Sequence, residues 1–227
     1  MQIGAFEPEE TKLLQYYFSI DAPDVFVDVG ANIGYYTCLA RSLGKHTIAI
    51  EPLTQNLNYL YLNLSENGWN DVEVYPVALG EQPGIATLYG SSTGASLIRG
   101  WAGASPLVRQ IVPISTLDIL LGIRLARKKL IIKVDIEGAE YAMLKGAIRT
   151  LTTVPRPTWL IEIGLSEHQP SGLNPNYTNT FKLFWQNGYE ARTADQENRI
   201  VLPKDVERWV RIGSCDYGSN YIFRCNA

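Results

Sequence analysis

Asp28, Gly30, Asn32 and Gly34 stand where a run of strand character, Val25–Val29, gives way to apolar residues at helical spacing (Ile33, Tyr36, Leu39, Ala40) that stop at Gly44. A glycine at such a turn permits positive φ and lets a ligand approach the main chain. A dinucleotide fingerprint would need glycines at positions 30, 32 and 35, yet Asn32 and Tyr35 occupy two of them. Asp28 would repel a diphosphate and attract a cation. The next strand-like run, His46–Ile50, is followed by Glu51-Pro52, an acid placed to accept hydrogen bonds from ribose hydroxyls. A ligand carrying an ammonium, a sulfonium and a ribose suits these residues better than one carrying phosphates. The bland alternative is a plain α/β turn with incidental acids.

A second group follows the apolar run Leu130–Val134: Lys133-x-Asp135-x-Glu137-Gly138-Ala139-Glu140. Farther on, Glu162 lies near the carboxyl end of a strand at 158–163, and His168 lies in the loop beyond. Asp28-x-Gly30-Ala31-Asn32-x-Gly34, Ile50-Glu51-Pro52 and the Asp135 motif together resemble the FkbM family of class I S-adenosylmethionine-dependent methyltransferases. The specific likeness covers about residues 25–163.

The resemblance implies a Rossmann-like α/β fold: a mostly parallel seven-stranded sheet, helices on both faces and a C-terminal antiparallel hairpin. It implies S-adenosylmethionine as cofactor, bound by Asp28, Gly30, Asn32, Gly34, Glu51, Pro52, Ala78 and Asp135. Asp28 and the Gly30 turn would hold the amino acid part, Asn32 its carboxylate or the turn itself, and Glu51, as an exposed strand-end acid, the ribose. No acid follows the third strand between Val77 and Gly80, so the backbone of Val77 and Ala78 is assigned to adenine. The acceptor would be a hydroxyl on a sugar, polyketide or other small metabolite, a small-molecule or glycan partner. Its proton needs a base, for which Asp135, Glu162 and His168 are the catalytic candidates, with Glu137 beside them. Each has an innocent alternative: Glu137 and Glu140 as complements to a helix N-terminus, Glu162 paired with a strand neighbour, His168 as a surface residue. No metal is assigned, because the paired aspartates of ion-dependent sugar methyltransferases are not found here. Two other classes compete: an NAD(P)-dependent oxidoreductase, and a module that binds S-adenosylmethionine without turnover.

These residues need elements to position them. Glu7-Pro8-Glu9-Glu10 leads into Leu13, Leu14, Tyr17 and Phe18, an N-terminal helical segment over 1–22, with the Rossmann-like domain over 23–227. Leu57, Leu60, Tyr61 and Leu64 form a second helix face ending at Asn67-Gly68. Residues 72–80 read as one third strand and 86–89 as a short extra one. The glycine- and serine-rich stretch 90–105, within a loop expected to be mobile over about 90–112, should bury little. It leaves Trp101 without an obvious partner and is either a substrate lid or a surface excursion. Ser115-Thr116-Leu117-Asp118 fits a capping box, with Arg124, Arg127, Lys128 and Lys129 at the C-terminal end of that helix. A helix beginning near Thr178 or Asn179 and closed by Asn187-Gly188 precedes final strands at 189–193 and 220–225.

With 227 residues, 46% of them hydrophobic and 19% charged, the chain has room for one α/β domain. A formal charge of −3 argues against sequence-independent nucleic-acid binding, and no apolar run is long enough to cross a membrane. Residues 1–6 lack a basic and apolar leader pattern, so a cytoplasmic location is expected. Three cysteines, Cys38, Cys215 and Cys225, show no C-x-x-C spacing and are expected as reduced thiols. The sequence does not set the oligomeric state; a homodimer is one option.

Overall fold

Alternating apolar runs of strand and helix period produce a central parallel sheet flanked by helices. The computed structural model describes residues 8–225. Residues 1–6, on which the leader reading rests, and Glu7 lie outside them. In chain order the elements are α1 (Pro8–Asp21), β1 (Val25–Val29), α2 (Tyr35–Ser42), β2 (His46–Ile50), α3 (Thr54–Glu66), β3 (Glu73–Tyr75), β4 (Ala78–Leu79) and β5 (Gly84–Tyr89). They continue with β6 (Arg109–Ser115), α4 (Leu117–Leu121), β7 (Leu130–Val134), α5 (Glu140–Lys145), α6 (Ile148–Thr152) and β8 (Thr158–Glu162). The chain then closes with α7 (Tyr177–Gln186), β9 (Glu190–Thr193), β10 (Ile200–Val201), α8 (Pro203–Ile212) and β11 (Asn220–Arg224).

The main sheet runs β10-β9-β11-β8-β7-β1-β2-β3, parallel from β8 to β3. At the other end β11 pairs antiparallel with both β8 and β9. This is the expected mostly parallel sheet with an antiparallel end; its eight strands exceed the seven expected because the two-residue β10 joins the edge.

Side-chain alternation divides the core into two faces. Val25, Val27, Val29, Ile132 and Val134 face one cluster with Met143, Leu144 and Phe181, while Phe26 and Ile131 face Leu14, Tyr17 and Phe18 of α1 and Tyr36 and Ala40 of α2. Burial of side chains on both faces is what lets Leu130–Val134 read as a nearly continuous apolar run. The N-terminal helix therefore packs on the sheet, as its apolar face requires. Among the described residues no helix is long and apolar enough to cross a membrane.

Four readings of local structure are corrected. Residues 72–80 are two strands rather than one: Pro76 cannot donate to a ladder, Val77 N–H bonds back to the Tyr75 carbonyl at 2.9 Å, and Ala78–Leu79 leaves to pair with Ile114 and Ser115. β4, β6 and β5 form a separate small sheet, so part of the loop drawn to 112 is strand, with β5 and β6 antiparallel. The cap of α4 is Thr116, whose Oγ1 accepts from Ile119 N–H at 3.1 Å, rather than Ser115 with Asp118. Asp118 instead accepts from the N–H groups of Arg149 and Thr150, both at 2.8 Å, at the start of α6. α4 ends at Leu121, before the basic residues expected at its end; Arg124 forms a two-point ion pair with Glu73.

Candidate functional site

Strand register assembles the site. Val29 lies opposite both Ile50 and Val134, Ile50 opposite Tyr75, and Val134 opposite Ile161. The residues one step beyond these aligned ends, Gly30, Glu51, Asp135 and Glu162, therefore form a row along the carboxyl edge of the parallel strands, where ligands of open α/β sheets bind. A cavity of about 530 Å³ opens there, lined on its polar side by Gly30, Asn32, Glu51, Pro52, Asp135 and Glu137. Its apolar side is Val77, Ala78, Leu79, Leu88, Leu97 and Ile136.

The turn after β1 spends its own donors. Gly30 and Ala31 N–H both bond to the Ile50 carbonyl, at 2.9 and 3.1 Å, and Gly34 N–H bonds to the Ala31 carbonyl at 2.8 Å. Asn32 N–H donates to Glu51 Oε2 at 2.9 Å. A phosphate-binding turn must offer such groups to the ligand; four are committed here. Gly30 itself is required by the protein rather than by a ligand. Its φ is +82°, and a Cβ there would stand 1.8 Å from the Asp135 carbonyl oxygen of the neighbouring loop.

Glu51 is 5% exposed, which corrects the expectation of an exposed strand-end acid. Oε1 accepts from Leu53 N–H at 2.8 Å and Asn56 Nδ2 at 3.3 Å, opposite the Asn32 bond to Oε2. Burial raises its pKa, and these donors oppose the rise. Asn32 lines the cavity with Oδ1 buried and without a partner among the described residues, an acceptor available to a donor on a ligand.

Two expected cofactor ligands do not reach the hollow. Asp28 is one residue short of the aligned strand end and, by alternation, points toward α2; it is 1% exposed and accepts from Thr37 Oγ1 at 2.6 Å. Burial raises its pKa, countered by Lys133 and Thr37. Gly34 makes room for α3, because a Cβ would come within 2.3 Å of Leu60. Pro52, Ala78, Asp135, Gly30, Asn32 and Glu51 all line the cavity. Lys133 Nζ, from inside β7, pairs with Asp135 at 3.0 Å.

The remaining catalytic candidates border a second cavity of about 270 Å³, lined by Trp101, Glu137, Gly138, Glu140, Glu162 and His168 among others. Glu137 lines both cavities. Glu162 accepts from Ser219 Oγ at 2.9 Å; burial, then the Asp135 carboxylate, push its pKa up to about 8. Burial raises Glu140 to about 7 while its Oε1 accepts from Gly138 N–H at 2.8 Å.

The stretch expected to bury little is an arm packed across both cavities. Ser92, Thr93, Ala95 and Leu97 line the larger one, Ser96 is fully buried, and Trp101 is 4% exposed with its indole N–H on Glu137 Oε2 at 2.6 Å. Sequence reasoning missed this partner. It also missed Asn56, a cavity residue whose signal was a polar side chain at the buried spacing of Leu57, Leu60 and Leu64.

Residues 28–191 match the family model described as the methyltransferase FkbM domain. The chain belongs to this family and is a methyltransferase. No curated protein matches the sequence at a significant level. Among solved structures, similarity extends to the O-methyltransferase from Bacillus cereus in complex with SAH, at 14% identity, TM-score 0.54, and coverage of 98% of this chain and 82% of that one. Cofactor-bound Rv0187 from MTB is similar at 14% identity and TM-score 0.53, over 100% of this chain and 84% of that one. A Klebsiella pneumoniae protein is similar at 10% identity and TM-score 0.56, over 100% and 84%. The fold is that of the Rossmann-like class I methyltransferases.

Proposed function

We propose that this chain moves a methyl group from S-adenosylmethionine to a hydroxyl of a sugar, polyketide or other small metabolite. The observation that carries the reading is the row of strand-end residues, Gly30, Glu51 and Asp135, around a cavity whose bordering turn commits four backbone donors to the protein rather than to phosphate. That turn disfavours the nicotinamide alternative. Glu51 suits ribose hydroxyls, since Oε2 has a lone pair beyond the Asn32 bond. Asn32 Oδ1 and Asp135 suit the ammonium, and the apolar wall around Ala78 suits a flat heterocycle. Asp28 acts at one remove, ordering α2 through Thr37 and sharing Lys133 with Asp135.

When bound, the cofactor supplies a methyl group on a positively charged sulfur. The protein must exclude water and align the acceptor, which can account for ~7–11 kcal/mol of a barrier in favourable cases. We place the acceptor in the smaller cavity, where Glu162 takes the hydroxyl proton as general base. A carboxyl raised to about 8 is a stronger base than an ordinary one, provided it is ionised. His168 borders the same cavity and is assigned to orienting the acceptor, and Asp135 to the boundary with the cofactor. The partner is a small molecule or glycan rather than nucleic acid, in keeping with the formal charge of −3.

The test is release of S-adenosylhomocysteine against a panel of hydroxyl-bearing metabolites. Turnover should increase as pH rises through about 8, and Glu162→Gln should lower it roughly 10²–10⁴-fold. Product formation insensitive to Glu162→Gln would refute the base assignment, and silence across the panel with tight cofactor binding would favour a binding module.

A further inference from the structure

Trp101 is held by the acidic motif and holds it in return. Its indole N–H donates to Glu137 Oε2 at 2.6 Å, and five residues earlier Ser96 Oγ donates to the Glu137 carbonyl, also at 2.6 Å. Glu137 has a left-handed backbone, φ +55°, and Gly138 follows at φ +95°. A side chain at Gly138 would strike the indole, since a Cβ there would stand 2.5 Å from one ring carbon and 2.9 Å from another. The arm thus grips Glu137 by side chain and main chain, and fixes a half-buried carboxylate in the wall shared by the two cavities.

We infer that Trp101 is a positioning residue that keeps Glu137 ionised and aimed along that wall, so that the cavity prefers the positively charged methyl donor to its neutral thioether product. The inference rests on the proposed cofactor. A carboxylate out of water favours its neutral form, and a short N–H donor reverses part of that preference by stabilising the anion. Burial does raise Glu137, and the Trp101 bond is the largest effect opposing it. The other charged groups facing it are Asp135, which raises it, and Lys133 and His168, which lower it; Glu140, Glu162 and Glu167 line the cavity beyond. Loss of the sulfonium charge on transfer would then weaken product binding relative to substrate, without any movement of the protein.

Calorimetric affinities for S-adenosylmethionine and S-adenosylhomocysteine, taken from pH 6 to 8.5, test this in three proteins. The wild type should favour the cation. Glu137→Gln, which keeps an acceptor oxygen and loses the charge, should lower that preference roughly tenfold. Trp101→Phe should lower it too, and recover it in part as the pH rises, because loss of the indole removes a donor that favours the carboxylate over its neutral form. A structural defect would weaken both ligands alike and would not be mended by pH. Equal weakening of both ligands in Trp101→Phe, or an unchanged preference in Glu137→Gln, overturns the inference and leaves the cofactor assignment standing. Should Trp101→Phe fail to fold, the Glu137→Gln ratio decides alone. A wild type that binds neither ligand overturns the cofactor assignment and this inference together.

Discussion

At the scale of single residues, close approach of backbone to backbone defines the site as much as charge does. Gly30 lets the β1 turn pass the Asp135 carbonyl, so Gly30→Ala must both leave a left-handed conformation and separate two loops. Gly44, at φ +74°, is the internal control, since an added Cβ there would meet nothing within 4 Å. Urea unfolding should show Gly44→Ala destabilised by about 1–2 kcal/mol and Gly30→Ala by clearly more. Similar losses would mean that the loop crossing is not tight. Left-handed residues other than glycine also gather here: Asn32 at φ +52°, Glu137 at +55° and His168 at +63°. Conformations of this kind persist where the surrounding contacts over-determine them.

Glu140 gives a residue-scale prediction in pH. Its folded-state pKa, about 7, lies above the ordinary 4.5, so between those values the folded protein keeps a proton that the unfolded chain releases. Its contribution is therefore greatest at or below the ordinary value, and it declines as pH rises toward 7. Glu140→Gln should flatten the fall in melting temperature between about pH 5 and 7, by an amount on the order of 3 kcal/mol at most. An unaltered pH profile would contradict the burial argument.

At the scale of elements, stability depends on caps that cross between helices. The Asp118 carboxylate receives Arg149 N–H, Thr150 N–H and the Thr150 hydroxyl, so a residue of α4 caps α6. Asp118→Ala should cost about 1–2 kcal/mol in urea unfolding while α4, capped by Thr116, stays formed. No loss of stability would show the cap to be dispensable. The same pair shows where the letters were insufficient: Ser115-Thr116-Leu117-Asp118 announced a helix start, but which oxygen served which helix depended on tertiary contact. Residues 72–80 looked like one strand because their apolar character is continuous, while Pro76 already marked the break. α8 and β10 went unread although the signals were present, with Pro203 in the first turn, Val206 and Trp209 on the buried side and Gly213 closing the helix.

At the scale of the molecule, two sheets cooperate. The parallel sheet presents its strand ends in one row, and the small sheet of β4, β6 and β5 carries the arm that covers them. Most of the row was legible: Gly30, Glu51 and Asp135 each follow a strand, and strands in register bring such residues together. Asp28 was misplaced because a one-residue shift in a strand changes the face a side chain occupies. Glu51 was recognised as a site acid but not as buried, because the donors that surround it come from Asn32, Leu53 and Asn56, which only the folded turn assembles. The arm was the least legible part. Glycines and serines suggested a stretch that packs poorly, whereas a single Trp101 contact with Glu137 and the buried Ser96 anchor it.

The central claim is that this row and the committed donors of the β1 turn make a cavity for an adenosyl sulfonium compound and not for a dinucleotide. Calorimetric titration of the whole chain with S-adenosylhomocysteine and, separately, with NAD tests it most directly. Saturable one-to-one binding of the first is expected, with no heat of binding from the second. Saturable binding of NAD, or none of S-adenosylhomocysteine, would contradict it.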